Sequence, residues 1–162
     1  YEQHLMYGTT DTLFSPDQNL TRAMFVAMLY RMEGSPEVSG TAPYSDVPAG
    51  AYYEKAVIWA SANGVVYGSN GKYDPEGKIT REQMAAMMRR YATYCQIDTS
   101  DRADLAGFGD AARVSSWARE DMRWAVAVNL LYGSGGNLNP TNPATRAEAA
   151  AILQRFAVNI LK

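Results

Sequence analysis

Three arginines occupy the same place in a phrase that the sequence repeats: Arg22, Arg81 and Arg146 each follow a threonine and open an apolar helical pattern. Each Thr-Arg pair lies five residues after a proline, and a Tyr-Gly pair precedes that proline. A cation at the first residue of a helix opposes the helix dipole, so helix stability does not explain the recurrence. A guanidinium beside the amides of a helix N-terminus can instead receive a carboxylate. The arginines therefore indicate one anion-site design built three times.

The segments after the three threonines are predicted to be helices. Apolar residues recur 4, 7, 8 and 11 positions after each threonine, which is typical of a helix buried along one face. The threonine is the N-cap, and its hydroxyl satisfies an amide of the first turn. Gln83 and Glu148 complete capping boxes with Thr80 and Thr145, whereas Met24 cannot do so in the first copy.

A further helix is predicted before the Tyr-Gly pair in the second and third copies, at about residues 52–62 and 117–128. Each contains a Trp-Ala pair, and we interpret Trp59 and Trp124 as core residues. Each ends at a residue type that tolerates a left-handed backbone. The residues at this position in the three copies are His4, Gly64 and Asn129.

The chain therefore divides into the second half of a first repeat and two complete repeats. The predicted bounds are 1–35, 36–97 and 98–162. Arrays of repeats generally need complete terminal units, so we expect the apolar stripe of Phe25, Met28 and Leu29 to lack cover. A homodimer that completes the truncated repeat, or a longer polypeptide, would supply that cover.

Composition excludes several classes of function. With a net charge of −2 and a pI of about 5.4, the chain has no overall basic field for nucleic acid or anionic lipid. Its apolar runs are too short for membrane insertion. The single cysteine, Cys95, cannot form an internal disulfide, and the single histidine has no metal-binding companion. No phosphate loop, zinc motif or catalytic constellation is present, so we expect neither an enzyme nor a cofactor.

Together these motifs resemble the S-layer homology family. They are an aromatic-x-Asp lead (residues 44–46 and 108–110), a Trp-Ala helix, a Gly-x-x-x-Gly turn, and Thr-Arg-Ala-Glu five residues after a proline. Residues 145–148 match the last motif as written, and the other two copies depart from it after Thr-Arg. The resemblance covers nearly the whole chain. It implies a mainly α fold, with tandem helix-loop-helix repeats around a pseudo-threefold axis, a central helical bundle and grooves between repeats.

The resemblance also implies a function. Members of this family are extracellular, non-catalytic modules that anchor proteins to the bacterial cell wall or surface layer by binding secondary cell-wall polysaccharide. A pyruvate ketal on an amino sugar would offer the carboxylate, glycines would allow close backbone approach, and aromatic rings would stack on the sugar. The expected ligand-binding residues are Arg22, Arg81, Arg146, Gly68, Gly133, Thr80, Thr145, Glu148, Asp46, Asp110, Tyr52 and Trp117.

Alternatives remain open at this level. The arginines could pair with Asp46 or Asp110 and pin one repeat to the next, and both aspartates could cap the turns that follow them. The chain could be a self-assembly module of a surface layer, or the anchoring fragment of a larger wall-bound enzyme. Among the arginines, we expect Arg146 to contribute most, since its motif is intact, and Arg22 least.

Overall fold

A computed structural model describes residues 5–10 and 12–161, and within them the chain forms helices with no strand beyond isolated bridges. The α-helices are α1 (Arg22–Met32), α2 (Glu54–Ala62), α3 (Arg81–Tyr94), α4 (Arg119–Ala127) and α5 (Arg146–Asn159). Two 3-10 turns, Ala111–Arg113 and Ser116–Ala118, lead into α4. The prediction of a mainly α fold is confirmed. None of these helices is long and apolar enough to cross a membrane.

The helices begin where the threonines predict. The hydroxyl of Thr80 accepts a hydrogen bond from the amide of Gln83 at 3.2 Å, and Thr145 accepts one from Glu148 at 3.2 Å. Both capping boxes are complete, whereas the first copy has only the bond from Met24 to its threonine. These caps fix the first turn of each helix and thereby the position of the arginine that follows the threonine.

The ends of α2 and α4 also follow the sequence prediction. Gly64 and Asn129 lie just beyond them with positive φ of 69° and 57°. This left-handed conformation stops the helix and turns the chain towards the Tyr-Gly loop. The third residue predicted at this position, His4, lies outside the described residues.

A closed ring of backbone hydrogen bonds joins the three repeats. The amide of Leu20 donates to the carbonyl of Ala144 at 3.0 Å, Ala144 donates to Ile79 at 2.9 Å, and Ile79 donates to Leu20 at 3.0 Å. All three residues are fully buried. Each repeat thus donates to one neighbour and accepts from the other, which gives the assembly its pseudo-threefold symmetry.

The partner helices cross repeat boundaries. Helix α2 packs against α1 of the preceding repeat, and α4 packs against α3 in the same way. Trp59 and Trp124, on α2 and α4, are 3% and 0% exposed, so their interpretation as core residues is confirmed. The apolar faces of the helices meet in one continuous core.

The apolar residues on one face of α1 are buried, contrary to the expectation that they would lack cover. Phe25, Met28 and Leu29 are 0%, 3% and 0% exposed within the single chain. Helix α2 belongs to the second repeat, but it packs against α1 of the first repeat and covers this face. The apolar face of α1 is therefore covered within the described part of the chain.

Candidate ligand-binding grooves

The first amides of the Thr-Arg helices are already paired. The amide of Arg22 donates to the carbonyl of Gly77 at 2.8 Å, and that of Ala23 donates to Pro75 at 2.9 Å. The equivalent bonds recur in the other repeats, from Arg81 to Asn142, Glu82 to Pro140, Arg146 to Gln18 and Ala147 to Pro16. With the third amide bonded to the threonine, these helix N-termini do not hold free donors for an anion. Backbone carbonyls of the next repeat accept hydrogen bonds from these amides, which the sequence analysis expected to bind a ligand carboxylate.

The guanidinium of each repeated arginine also reaches into the next repeat. Arg81 donates through Nε to the carbonyl of Leu138 and through Nη2 to that of Tyr132, both at 2.8 Å. Its Nη1 donates to Oε1 of Glu148, which forms an ion pair. Arg22 makes the two carbonyl bonds with Tyr73 and Tyr67 at 2.9 and 3.3 Å, and Arg146 makes them with Phe14 and Tyr7. The three arginines therefore pin the three Tyr-Gly loops around the ring.

The lead aspartates hold the same loops from the other side. Asp46 accepts hydrogen bonds from the amides of Tyr73 and Asp74, both at 2.8 Å. Asp110 accepts from Leu138 and Asn139 at 2.7 and 2.8 Å. Neither aspartate pairs with a repeated arginine, and each caps a loop 27 to 29 residues further along the chain. Desolvation raises their pKa, but the amide bonds outweigh it, and the net pKa of both carboxyls is below its usual value.

The glycines of the second and third Tyr-Gly pairs have both an aromatic ring and a loop carbonyl against them, so neither has space for a side chain. A Cβ on Gly68 would lie 2.3 Å from the Tyr44 ring, and one on Gly133 would lie 2.7 Å from the Phe108 ring. In this structure the close approach is made by the lead aromatic residue of the same repeat. The glycines thus lock the lead segment to the loop.

Three grooves lie where these elements meet, one for each Tyr-Gly loop. Groove A has a volume of 220 Å³, groove B 590 Å³ and groove C 220 Å³. The defining residues of groove A are Arg146, Tyr7, Gly8, Met24, Arg31 and Tyr52. Those of groove B are Arg22, Tyr67, Gly68, Lys72, Gln83, Arg90 and Trp117. Those of groove C are Arg81, Tyr132, Gly133, Glu148 and Arg155.

A second set of arginines lines the grooves and was missed by the sequence analysis. Arg31, Arg90 and Arg155 each stand ten residues after the capping threonine. Their guanidinium carbons lie 4.9, 4.8 and 4.5 Å from the ring centres of Tyr7, Tyr67 and Tyr132. Their identical offset in all three copies was a visible signal.

Groove B has the largest volume of the three and is lined by three cationic side chains. Arg90 makes no hydrogen bond or ion pair within the described part of the chain, whereas Arg31 and Arg155 each donate to a backbone carbonyl. Lys72 and Arg22 also line groove B, and Nη1 of Arg22 has no partner among the described residues. In groove C the corresponding Nη1 belongs to Arg81 and is taken by Glu148.

The predicted residues separate into two groups by position. Eight of them line a groove: Arg22, Arg81, Arg146, Gly68, Gly133, Glu148, Tyr52 and Trp117. Tyr52 and Trp117 are 61% and 54% exposed and form one wall of grooves A and B. Thr80, Thr145, Asp46 and Asp110 line none of the three grooves. These four position the arginines and the loops.

Comparison with known proteins agrees with this architecture. The family model of the S-layer homology domain matches residues 43–85 and 107–150. An amylopullulanase of Thermoanaerobacterium thermosulfurigenes is 34% identical over 153 residues, which is 93% of this chain and 8% of that protein. The surface-layer 125 kDa protein of Lysinibacillus sphaericus is 28% identical over 161 residues, 96% of this chain and 13% of that protein. The S-layer protein sap of Bacillus anthracis is 24% identical over 154 residues, 95% of this chain and 19% of that protein.

The chain belongs to the S-layer homology family. Proteins of this family are held at the bacterial cell surface, and their S-layer homology domains are cell-wall-anchoring modules that bind wall polysaccharide. The chain spans less than a fifth of the length of these relatives. Relatives named as enzymes and relatives named as surface-layer proteins share the region, so it is a non-catalytic module in both.

Proposed function

We propose that the module anchors its protein to the cell wall by binding an acidic wall polysaccharide in groove B, with a sugar-borne carboxylate, such as that of a pyruvate ketal, held by Arg90. The observation that carries this proposal is the unpaired guanidinium of Arg90, which lies over the exposed ring of Tyr67 in a groove of 590 Å³. A guanidinium with all its donors available binds a carboxylate in two parallel hydrogen bonds.

The remaining residues of groove B supply complementary contacts. Lys72 and the free Nη1 of Arg22 add positive charge, against one lining carboxylate, that of Asp74. Trp117, 54% exposed on the opposite wall, offers an aromatic face to the apolar side of a sugar ring. Gln83, at the third position of α3, is a neutral hydrogen-bonding group for hydroxyls. The groove thus combines a carboxylate receptor with a stacking surface.

Grooves A and C are the weaker sites in this proposal. In groove A the position of Gln83 is occupied by Met24, which removes a polar partner. In groove C the carboxylate of Glu148 pairs with Arg81, and no counterpart of Trp117 lies among the described residues. The expected order of the repeated arginines therefore changes, because Arg22, which lines groove B together with Arg90 and Lys72, becomes the one with most effect on binding.

The proposal concerns the module alone and assigns it no catalytic step. It does not include a homodimer, because the apolar residues of α1 that a second copy was expected to cover are buried within the chain. It also disfavours self-assembly through the grooves by apolar contact alone, since each groove is lined by two arginines.

A co-sedimentation assay tests the proposal. Wall polysaccharide freed of protein is mixed with the module before and after mild acid hydrolysis of its ketals. We expect Arg90→Met to reduce the bound fraction on the intact polysaccharide, while Arg113→Met, an exposed arginine outside the three grooves, leaves it unchanged. Equal binding of Arg90→Met and the unmodified module would refute the role of groove B.

A further inference from the structure

A fourth cavity lies outside the three grooves, between α4 and the segment that leads into this helix. Its volume is 430 Å³, which is larger than the 220 Å³ of groove A or groove C. We call it the α4 pocket, and its defining residues are Asp104, Leu105, Ala111, Ala112, Arg119 and Arg123. None of these residues lines groove A, B or C. The function proposed above leaves this cavity without a role.

Two arginines on one face of α4 line the pocket. Arg119 and Arg123 are four residues apart in the helix, so their side chains lie on the same face. Like charges at this spacing destabilise a helix, and Arg119 in the first turn also opposes the helix dipole. Arg81 opposes the dipole of its helix too, but it is compensated by bonds to two carbonyls and to Glu148. The guanidinium of Arg119 has no hydrogen-bond or ion-pair partner within the described part of the chain that would offset the cost.

The other arginine of the pocket is held in place by an ion-pair network. Arg123 donates through Nε to the carbonyl of Ala103 at 2.9 Å and through Nη1 to Oε1 of Glu120 at 3.1 Å. The second oxygen of Glu120 accepts a hydrogen bond from Nε of Arg102 at 2.7 Å. The hydrogen bonds from Arg102 and Arg123 lower the pKa of Glu120, which therefore stays ionised at neutral pH. Arg123 is thus fixed in position, and its Nη2 has no partner among the described residues.

The lining of the pocket favours an anion that also has an apolar part. One carboxylate, that of Asp104, accompanies the two guanidinium groups, and it already accepts a hydrogen bond from the amide of Ala106 at 2.9 Å. Leu105, Ala111 and Ala112 supply apolar surface. A sugar ring that carries a carboxylate offers both an anionic group and apolar C–H faces, and arginine binds such a carboxylate through charge-assisted hydrogen bonds.

The pocket adjoins groove B, and its arginine pair is not shared by the second repeat. Trp117, on the wall of groove B, precedes Arg119 by two residues, so their Cα atoms are at most about 7.6 Å apart. The residues of α2 equivalent to Arg119 and Arg123 are Glu54 and Ile58. The cationic pair therefore distinguishes the third repeat from the second, whereas the arginines of the grooves recur in every copy.

We propose that the α4 pocket is a second subsite for the polysaccharide bound in groove B, and that it takes the carboxylate of another acidic sugar of the same glycan chain. The guanidinium of Arg119 and Nη2 of Arg123 bind that carboxylate, and the glycan passes over Trp117 between the two cavities. This inference rests on the function proposed above. It implies that the module binds an extended acidic glycan more tightly than a single ketal-bearing sugar, because the second contact is made within one complex.

Titration calorimetry with two ligands tests the subsite. One ligand is purified wall polysaccharide, and the other is a synthetic amino-sugar glycoside that carries a single pyruvate ketal. We expect Arg119→Met to weaken binding of the polysaccharide by about fivefold, the effect of losing one exposed charge pair. The same variant should bind the single-sugar glycoside like the unmodified module, since that ligand occupies groove B alone.

Arg113→Met is the matched control, because Arg113 is exposed, lines none of the four cavities and gives the same change in net charge. It should bind both ligands like the unmodified module. Polysaccharide binding by Arg119→Met that equals that of the control, or an equal loss for both ligands, would overturn the second subsite. Failure of groove B itself has a different signature: Arg90→Met would bind the single-sugar glycoside as tightly as the unmodified module, and the subsite would fall with it.

Discussion

Replacing Arg81 by methionine should destabilise the fold, because this arginine is part of the ring that joins the repeats. Its side chain is 10% exposed and donates to two carbonyls and to Glu148. The carbonyl of Leu138 belongs to a fully buried residue, and an unpaired buried acceptor costs about 1–3 kcal/mol. Glu148 is 35% exposed and keeps its bond from the amide of Thr145, so its loss is smaller.

The summed effect is a loss of about 3 kcal/mol of unfolding free energy, at the lower end of the range for breaking a buried pair. For a chain of this size that corresponds to a fall in melting temperature of roughly 6–12 °C. Urea titration followed by tryptophan fluorescence measures it, with a lower midpoint and an unchanged slope expected.

Arg90→Met is the matched control for this experiment. Arg90 is another arginine on α3, but its guanidinium makes no hydrogen bond or ion pair with the described residues and lies 4.8 Å from the centre of the Tyr67 ring. Such a contact contributes about 0.5–1 kcal/mol at an exposed site, so the control should lose no more than that. An Arg81→Met variant within 1 kcal/mol of the unmodified chain, or a control that is equally destabilised, would refute the structural role of Arg81.

Three other predictions follow from the same contacts. The pKa of Asp46 and Asp110 is lowered in the fold, so the stabilisation that they provide is present above the unfolded pKa of about 3.9 and is lost as the pH falls through the lower folded value. Changing both residues to asparagine should therefore reduce the loss of unfolding free energy that urea titrations measure at acid pH. Gln83→Glu should preserve the capping box but weaken acidic-glycan binding in titration calorimetry, since the new carboxylate can neutralise Arg22 as Glu148 neutralises Arg81 in groove C. Trp117→Ala should weaken glycan binding by about 0.5–1.5 kcal/mol through lost stacking, with the melting temperature nearly unchanged.

Much of the fold could be predicted because its local signals are strong. The threonine caps, the glutamine and glutamate of the capping boxes and the left-handed Gly64 and Asn129 act over a few residues, so their spacing suffices to place the helix ends. The apolar offsets after each threonine predicted the buried face of α1, α3 and α5. These features depend on contacts within one turn of the chain.

The partners of the repeated arginines could not be predicted in the same way. Their acceptors are backbone carbonyls such as those of Leu138 and Tyr132, and a carbonyl has no residue type to mark it. The sequence offered Asp46 and Asp110 as acceptors, but these bind amides of a loop far along the chain. A cation at the first residue of a helix opposes the helix dipole, which marks Arg81 as unusual but does not distinguish a ligand from a neighbouring repeat as its partner.

Two other errors have a tertiary origin. The apolar residues on one face of α1 were expected to lack cover. Periodicity predicts that such a face is buried, but it does not identify the element that buries it. The structure covers it with α2 of the next repeat. Arg90 was overlooked although its offset from the threonine recurs in all copies, since it lies late in a helix and far in sequence from Tyr67.

The most direct test of carboxylate recognition by Arg90 is a thermodynamic cycle measured by titration calorimetry. Purified wall polysaccharide, with and without its ketals, is titrated into the unmodified module and into Arg90→Met. We predict that each change alone weakens binding by about 1.5–3 kcal/mol, and that Arg90→Met has no further effect once the ketals are removed. Equal affinity of the module for both polysaccharides, or losses that simply add, would contradict the assignment of Arg90 as the carboxylate receptor of groove B.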